Sequence, residues 1–179
     1  MTFSLSWLPK VLRDAGLKVI EVDGWQTRGH GDAGKTQFVI CHHIGDNKKS
    51  SIANDNKILV NGRPDLTGPL CNLSLARDGT FYVIAAGKAF HAGKGLWHGV
   101  SEGNSHAIGI EAANDGRGEK WPATQMQAYA KGCAAIAKHC GFSSEMVCGH
   151  KEYALPKGRK SDPSFDMETF RTKVTSYMK

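Results

Sequence analysis

Brief apolar runs of strand length, separated by two strongly amphipathic helical stretches, constrain this chain more than any other feature. Residues 37–43 are apolar and β-branched through Phe38, Val39 and Ile40, and the chain then turns abruptly polar at Gly45, Asp46 and Asn47. Residues 105–112 form a second such run through Ala107, Ile108, Gly109 and Ile110. Runs at 73–76 and 80–84 flank Arg77-Asp78-Gly79, a hairpin turn signal. Shorter runs predict strands at 18–22 and 146–148, and a further one at 88–91. Over 122–139 the residues Met126, Tyr129, Cys133, Ile136, Ala137 and the adjoining Cys140 fall on one helical stripe, with Pro122 tolerated in the first turn and Gly141 as the stop. A closing helix is predicted over 166–178, capped by Asp166, with Met167, Phe170, Val174 and Tyr177 facing inward. Leu5, Leu8, Leu12 and Ala15 predict a short opening helix within 4–15, and another short helix is expected at 53–60 inside the long connection 45–70. The Gly-rich stretch 24–34 reads as an exposed loop, and 149–163 as an irregular polar segment. Strands interleaved with helices argue for an α/β fold: a single domain over residues 1–179 with a central mixed β-sheet flanked by helices.

No linker or repeat divides the 179 residues, a length that suits one compact domain. Hydrophobic residues at 40% and charged residues at 22% match ordinary globular usage, which removes collagen-like, low-complexity and coiled-coil readings. No apolar run approaches the roughly 18 residues needed to cross a bilayer, so no integral membrane segment is expected. The first dozen residues carry no cationic segment ahead of an apolar stretch, and the expectation is synthesis in the cytosol without a cleaved leader. Lys plus Arg number 23 against 17 for Asp plus Glu, and the net charge of +6 biases the chain toward anionic partners. Its lysines are scattered rather than gathered on a helix or interleaved with aromatics, so nucleic acid is not expected among them. Five cysteines form an odd set without a C-x-x-C pair; they are expected to be mostly reduced and do not build a four-cysteine zinc ribbon.

Three features stand apart chemically: Cys41-His42-His43 at the end of a central strand, Gly149-His150 after another, and Gly158-Arg159-Lys160-Ser161-Asp162-Pro163 beyond it. Two imidazoles and one carboxylate are the donor types of a zinc site that keeps its fourth position open for water. Strand alternation sends His42 and His43 to opposite faces, so both do not join one ion. Cys148 is a rival donor two residues before His150, although its strand position suits a buried packing thiol.

Taken in order, Val39-Ile40-Cys41-His42-His43, Ala107-Ile108-Gly109-Ile110-Glu111, Gly149-His150 and Gly158-Arg159-Lys160-Ser161-Asp162-Pro163 resemble the zinc-dependent N-acetylmuramoyl-L-alanine amidases of the type-2 amidase and peptidoglycan recognition protein superfamily. The Arg77-Asp78-Gly79-Thr80 hairpin and Phe90-His91-Ala92-Gly93 resemble the same family's middle segment, so the likeness runs from about residue 37 to 162. It implies that family's mixed sheet flanked by helices. It also implies hydrolysis of the amide between the lactyl group of N-acetylmuramic acid and the first L-alanine of the stem peptide in bacterial peptidoglycan. Carried over residue by residue, the zinc ligands fall on His42, His150 and Asp162 and the catalytic base on Glu111. Lys160 becomes a fixed positive charge for the oxyanion, and His91 lines the substrate cleft. Where the phage lysozyme branch has a tyrosine this chain reads Leu70-Cys71-Asn72-Leu73, which favours the glutamate as base.

The resemblance further implies the catalytic domain of a phage endolysin, a monomer held in the host cytoplasm and released to the cell wall on lysis, with the positive charge supplying attraction to an anionic wall. An intracellular muropeptide-recycling amidase and a non-catalytic peptidoglycan-binding module are the alternatives. The module is the weaker one, because such relatives typically lose a zinc ligand and here all three candidates are present.

Overall fold

The computed structural model describes residues 2–47 and 50–179. A 3-10 turn at Ser4–Trp7 leads into α1 (Leu8–Asp14), whose Pro9 lies in the first turn, where no backbone donor is required. Strands β1 (Val19–Glu21) and β2 (Phe38–His43) follow. Helix α2 (Ile52–Asn61) is capped by Ser51, whose hydroxyl accepts from the Asn54 N–H at 3.3 Å. A two-residue ladder, β3 (Gly62–Arg63) with β4 (Leu66–Thr67), precedes the hairpin β5 (Leu73–Leu75) and β6 (Phe81–Val83). The single turn α3 (Gly103–His106) opens directly into β7 (Ala107–Ala112), and the long helix α4 (Ala123–Cys140) ends at Gly141, left-handed at φ 78°. Strand β8 (Val147–Gly149) runs straight into the single turn α5 (His150–Tyr153), and α6 (Met167–Tyr177) closes the chain with Asp166 accepting from the Thr169 N–H at 2.7 Å.

Six strands form one sheet in the order β1-β6-β5-β7-β2-β8, parallel throughout except for the antiparallel β5–β6 pair. This is the mixed sheet flanked by helices that the sequence pattern implies. The pleat sorts the central strands onto two different surfaces. Val39 and Cys41 of β2, Ile108, Ile110 and Ala112 of β7, and Leu73 and Leu75 of β5 pack with α1, α4 and α6 in the main core. The alternate residues Phe38, Ile40 and Ala107 face a smaller cluster containing Ala92 and Tyr153. By the same alternation His42 and Glu111 emerge on that second surface.

Several segments depart from the sequence expectation. Residues 88–91 do not form a strand: Lys88 N–H donates to Gly31, Phe90 N–H to Pro69 and His91 N–H to the Asn104 side chain, so the backbone bonds scatter over two loops and the α3 turn instead of building a ladder. The loop 24–34 is not wholly exposed. Gly24 turns left-handed at φ 78°, and Trp25 folds under it into the core, where its indole donates to Glu21 at 2.9 Å. The run 105–112 becomes extended only at Ala107, because residues 103–106 make a helical turn. In the span 149–163, expected to be irregular, the first residues wind into α5, with Glu152 accepting from the Gly149 N–H at 2.8 Å. The β3–β4 ladder is too short to leave a periodic signal.

Candidate metal centre and cleft

The parallel strands β7, β2 and β8 end along one edge, and the carboxyl ends of strands are where open α/β sheets characteristically bind ligands. A cleft of about 620 Å³ opens there. His42 is the last residue of β2 on the cleft surface and is in register with Glu111 of β7. His150 opens α5 immediately beyond β8, and Asp162 arrives on the chain returning toward α6, whose path is closed by the Lys151 N–H donating to the Asp162 carbonyl at 2.8 Å.

His42 Nδ1 lies 2.9 Å from Asp162 Oδ2, and His150 Nδ1 lies 3.2 Å from the same oxygen. One donor atom from each of the three residues falls within 4.8 Å of the other two. The remaining ring nitrogens decide what this cluster wants. His150 Nε2 sits 2.9 Å from the Ala92 carbonyl and must donate to it, so a neutral His150 presents a bare Nδ1. His42 Nε2 meets His91 Nδ1 at 3.1 Å. In the tautomer in which His42 donates there, its Nδ1 is bare as well, and both imidazoles then turn a lone pair toward the place where Asp162 offers its oxygen. Burial pushes the His42 pKa down to about 4, which favours the neutral imidazole that a metal requires. Burial alone would raise the Asp162 pKa, yet its contacts with His150 and His42 hold it well below the usual carboxylate range. Three lone-pair donors of N, N and O type fit a zinc ion, and outward hydrogen bonds from the second nitrogens are how such histidines are held in orientation.

Glu111 stands beside this cluster, its Oε1 3.8 Å from His42 Nδ1 and its Oε2 buried with no hydrogen-bond partner. Burial, reinforced by the Asp162 charge and opposed by Lys160 and Arg63, pushes its pKa up to about 8. A divalent cation in the cluster would favour the charged form. A buried carboxylate oxygen without a donor is costly, and the cleft is where a water or substrate N–H can supply one. Lys160 lines the same cleft.

His91 also touches the cleft but is only 8% exposed, and its Nδ1 is committed to His42, so it buttresses a candidate ligand as well as lining the cavity. His43 points its Nδ1 at the Ser164 N–H, 3.2 Å away, and stays out of the cluster. Cys148 is buried, its thiol 3.6 Å from the Val39 carbonyl, and it is not among the clustered donors. All five cysteines are free thiols. Asn104 is a cleft residue that carries no sequence signal, lying in the turn before β7. Its Oδ1 accepts from the N–H groups of His91 at 2.9 Å and Ala92 at 2.8 Å, which fixes the amide and leaves Nδ2 as its remaining donor on the cleft wall.

Gly109 is the position in β7 that makes room for this arrangement. A Cβ there would lie 2.4 Å from His91 Cγ, so the imidazole has to move if the glycine is replaced. Gly109→Ala is expected to cost about 1–3 kcal/mol through overpacking. For a chain of this size that lowers Tm by about 2–12 °C in a thermal melt, and an unchanged Tm would contradict the packing described.

A profile of the family described as N-acetylmuramoyl-L-alanine amidase matches residues 32–165. A search of curated proteins finds no significant match. Among solved structures, the N-acetylmuramoyl-L-alanine amidase LysC from Clostridium intestinale URNW is 18% identical at a TM-score of 0.67, the match covering 88% of this chain and 97% of that one. A selenomethionine derivative of AmpD is 23% identical at a TM-score of 0.67, with 98% and 100% covered. The N-acetylmuramyl-L-alanine amidase AmiD from E. coli, in complex with the substrate anhydro-N-acetylmuramic acid-L-Ala-D-gamma-Glu-L-Lys, is 18% identical at a TM-score of 0.63, with 86% of this chain and 65% of that one covered. At these identities the likeness to the solved structures is one of fold. Among the described residues, no helix is long and apolar enough to cross a membrane.

Proposed function

The chain belongs to the N-acetylmuramoyl-L-alanine amidase family, and on that premise we propose that it is a zinc hydrolase that cuts the amide between N-acetylmuramic acid and L-alanine in peptidoglycan, with the metal held by His42, His150 and Asp162. The observation that carries this reading is the convergence of His42 Nδ1 and His150 Nδ1 on Asp162 Oδ2, at 2.9 and 3.2 Å, beside an unpartnered oxygen of Glu111. Bound zinc supplies Lewis-acid polarisation of the scissile carbonyl and lowers the pKa of water from about 15.7 toward 7. Glu111 takes a proton from the attacking water and delivers it to the L-alanine nitrogen as the C–N bond breaks, so the proton lost by water ends on the new amine. Lys160 sets a positive charge near the oxyanion of the tetrahedral intermediate. His91 lines the cleft and holds the His42 ring, and the Asn104 amide is placed to donate to a substrate carbonyl.

The physiological role we propose is that of a phage endolysin, acting on the wall after release from the host cytoplasm. The net charge of +6 supports it, since a cationic protein is drawn to an anionic wall. All the candidate groups come from one chain, which supports a monomer as the working unit. The test is to offer the zinc-loaded protein intact sacculi and, separately, soluble anhydromuropeptides. New L-alanine amino termini are expected from the sacculi. Cleavage of the soluble fragments alone would move the protein to the recycling class, and cleavage of neither would contradict the amidase reading.

A further inference from the structure

Tyr129 lies within α4 and is completely buried in the main core. A tyrosine at such a position brings a hydroxyl that requires partners. Beside the Cys41 thiol, that hydroxyl reaches the backbone at the end of the central strands. The His42 N–H donates to the phenol oxygen at 3.0 Å, and the phenol O–H is shared between the carbonyls of Ile110 at 2.9 Å and His42 at 3.2 Å. His42 is in register with Glu111, so the phenol is fastened to one candidate ligand and to the residue immediately before the candidate base. On the far side of β2, pairing with β8 reaches only as far as Cys41, which is opposite Gly149. His42 is therefore the point where β2 loses one of its two neighbouring strands.

We propose that Tyr129 is a positioning residue for the zinc site: its hydroxyl fixes the His42 backbone against Ile110, and so sets the direction of the His42 ring and its separation from Glu111. Tyr129 touches neither substrate nor metal, and the proposal rests on the zinc reading given above. A hydroxyl that merely satisfied itself in the core would leave metal binding untouched when removed. A hydroxyl that aims a ligand would weaken it, as loss of an outer-shell partner generally does.

The test compares Tyr129→Phe with Cys133→Ala, a change one helical turn along whose thiol sits 3.9 Å from Cys41 Sγ in the same core. Zinc affinity of the metal-free proteins is read by chelator competition, alongside Tm, kcat and KM. Tyr129→Phe is expected to weaken zinc binding by about 10–100-fold and to lower kcat at saturating zinc, with KM held within about twofold. Cys133→Ala is expected to lose Tm while keeping zinc affinity within about twofold. Zinc affinity that is unchanged in Tyr129→Phe, or that falls equally in both variants, overturns the proposal. Failure of Tyr129→Phe to fold also overturns it, by making the hydroxyl a structural group. A wild-type protein that binds no zinc removes the zinc reading itself, a result visible before either variant is made.

Discussion

Glu111→Gln is expected to lower kcat by about 10²–10⁴-fold, the usual contribution of a general base, while zinc stays bound at wild-type stoichiometry. The substitution keeps the shape of the side chain and removes only its ability to take a proton. Glu111 is suited to that role by its surroundings: one oxygen is 3.8 Å from His42 Nδ1 and the other is buried without a donor. An amide in its place can donate where the carboxylate only accepts, so the fold is expected to survive and the change should appear in kcat far more than in KM. Steady-state kinetics together with metal analysis check the outcome. Activity within tenfold of wild type would remove Glu111 as the base, and loss of zinc in the variant would reassign it to the metal shell.

Asp162→Ala is expected to have a larger effect, because Asp162 is the anionic member of the cluster and bridges both imidazoles. Without it two neutral nitrogens remain, and zinc affinity should fall by more than the roughly 10–100-fold typical of outer-shell changes, with turnover lost at any practical zinc concentration. Thermal melts give a readout independent of activity. A ligand present at about 1,000 times its Kd stabilises the folded state by about 4 kcal/mol. For a chain of this length that raises Tm by about 8–16 °C. Wild type is expected to show that zinc-dependent rise and Asp162→Ala to lack it; equal rises in both would place the metal elsewhere.

The candidate residues of this site come from the family resemblance, and what the strand's pleat adds is which face each of them takes. The alternation Phe38, Ile40, His42 against Val39, Cys41, His43 separates the clustered histidine from its neighbour, and the pattern Ala107-Ile108-Gly109-Ile110-Glu111 places the glycine and the glutamate on the cleft surface with the isoleucines beneath the helices. The Asp166 cap and the long α4 stripe are equally local and equally readable. Residues 42, 150 and 162 come together for a reason no local pattern contains: β8 adds in parallel beside β2, so two strand ends far apart in the chain become neighbours. The same limit explains the departures. Residues 88–91 have strand-like composition, but their donors go to two loops and the α3 turn, and Trp25 is drawn inward by tertiary contacts from a stretch whose glycines suggest exposure. Tyr129 reads correctly as a core residue. The destination of its hydroxyl, 87 residues away in sequence at His42, depends on how α4 lies across the sheet.

Anomalous diffraction at the zinc edge, from crystals grown with zinc, locates the ion and its ligands together. A single strong peak bonded to His42 Nδ1, His150 Nδ1 and a carboxylate oxygen of Asp162 is expected. No peak at that cluster, or one ligated instead by His43 or Cys148, would contradict it.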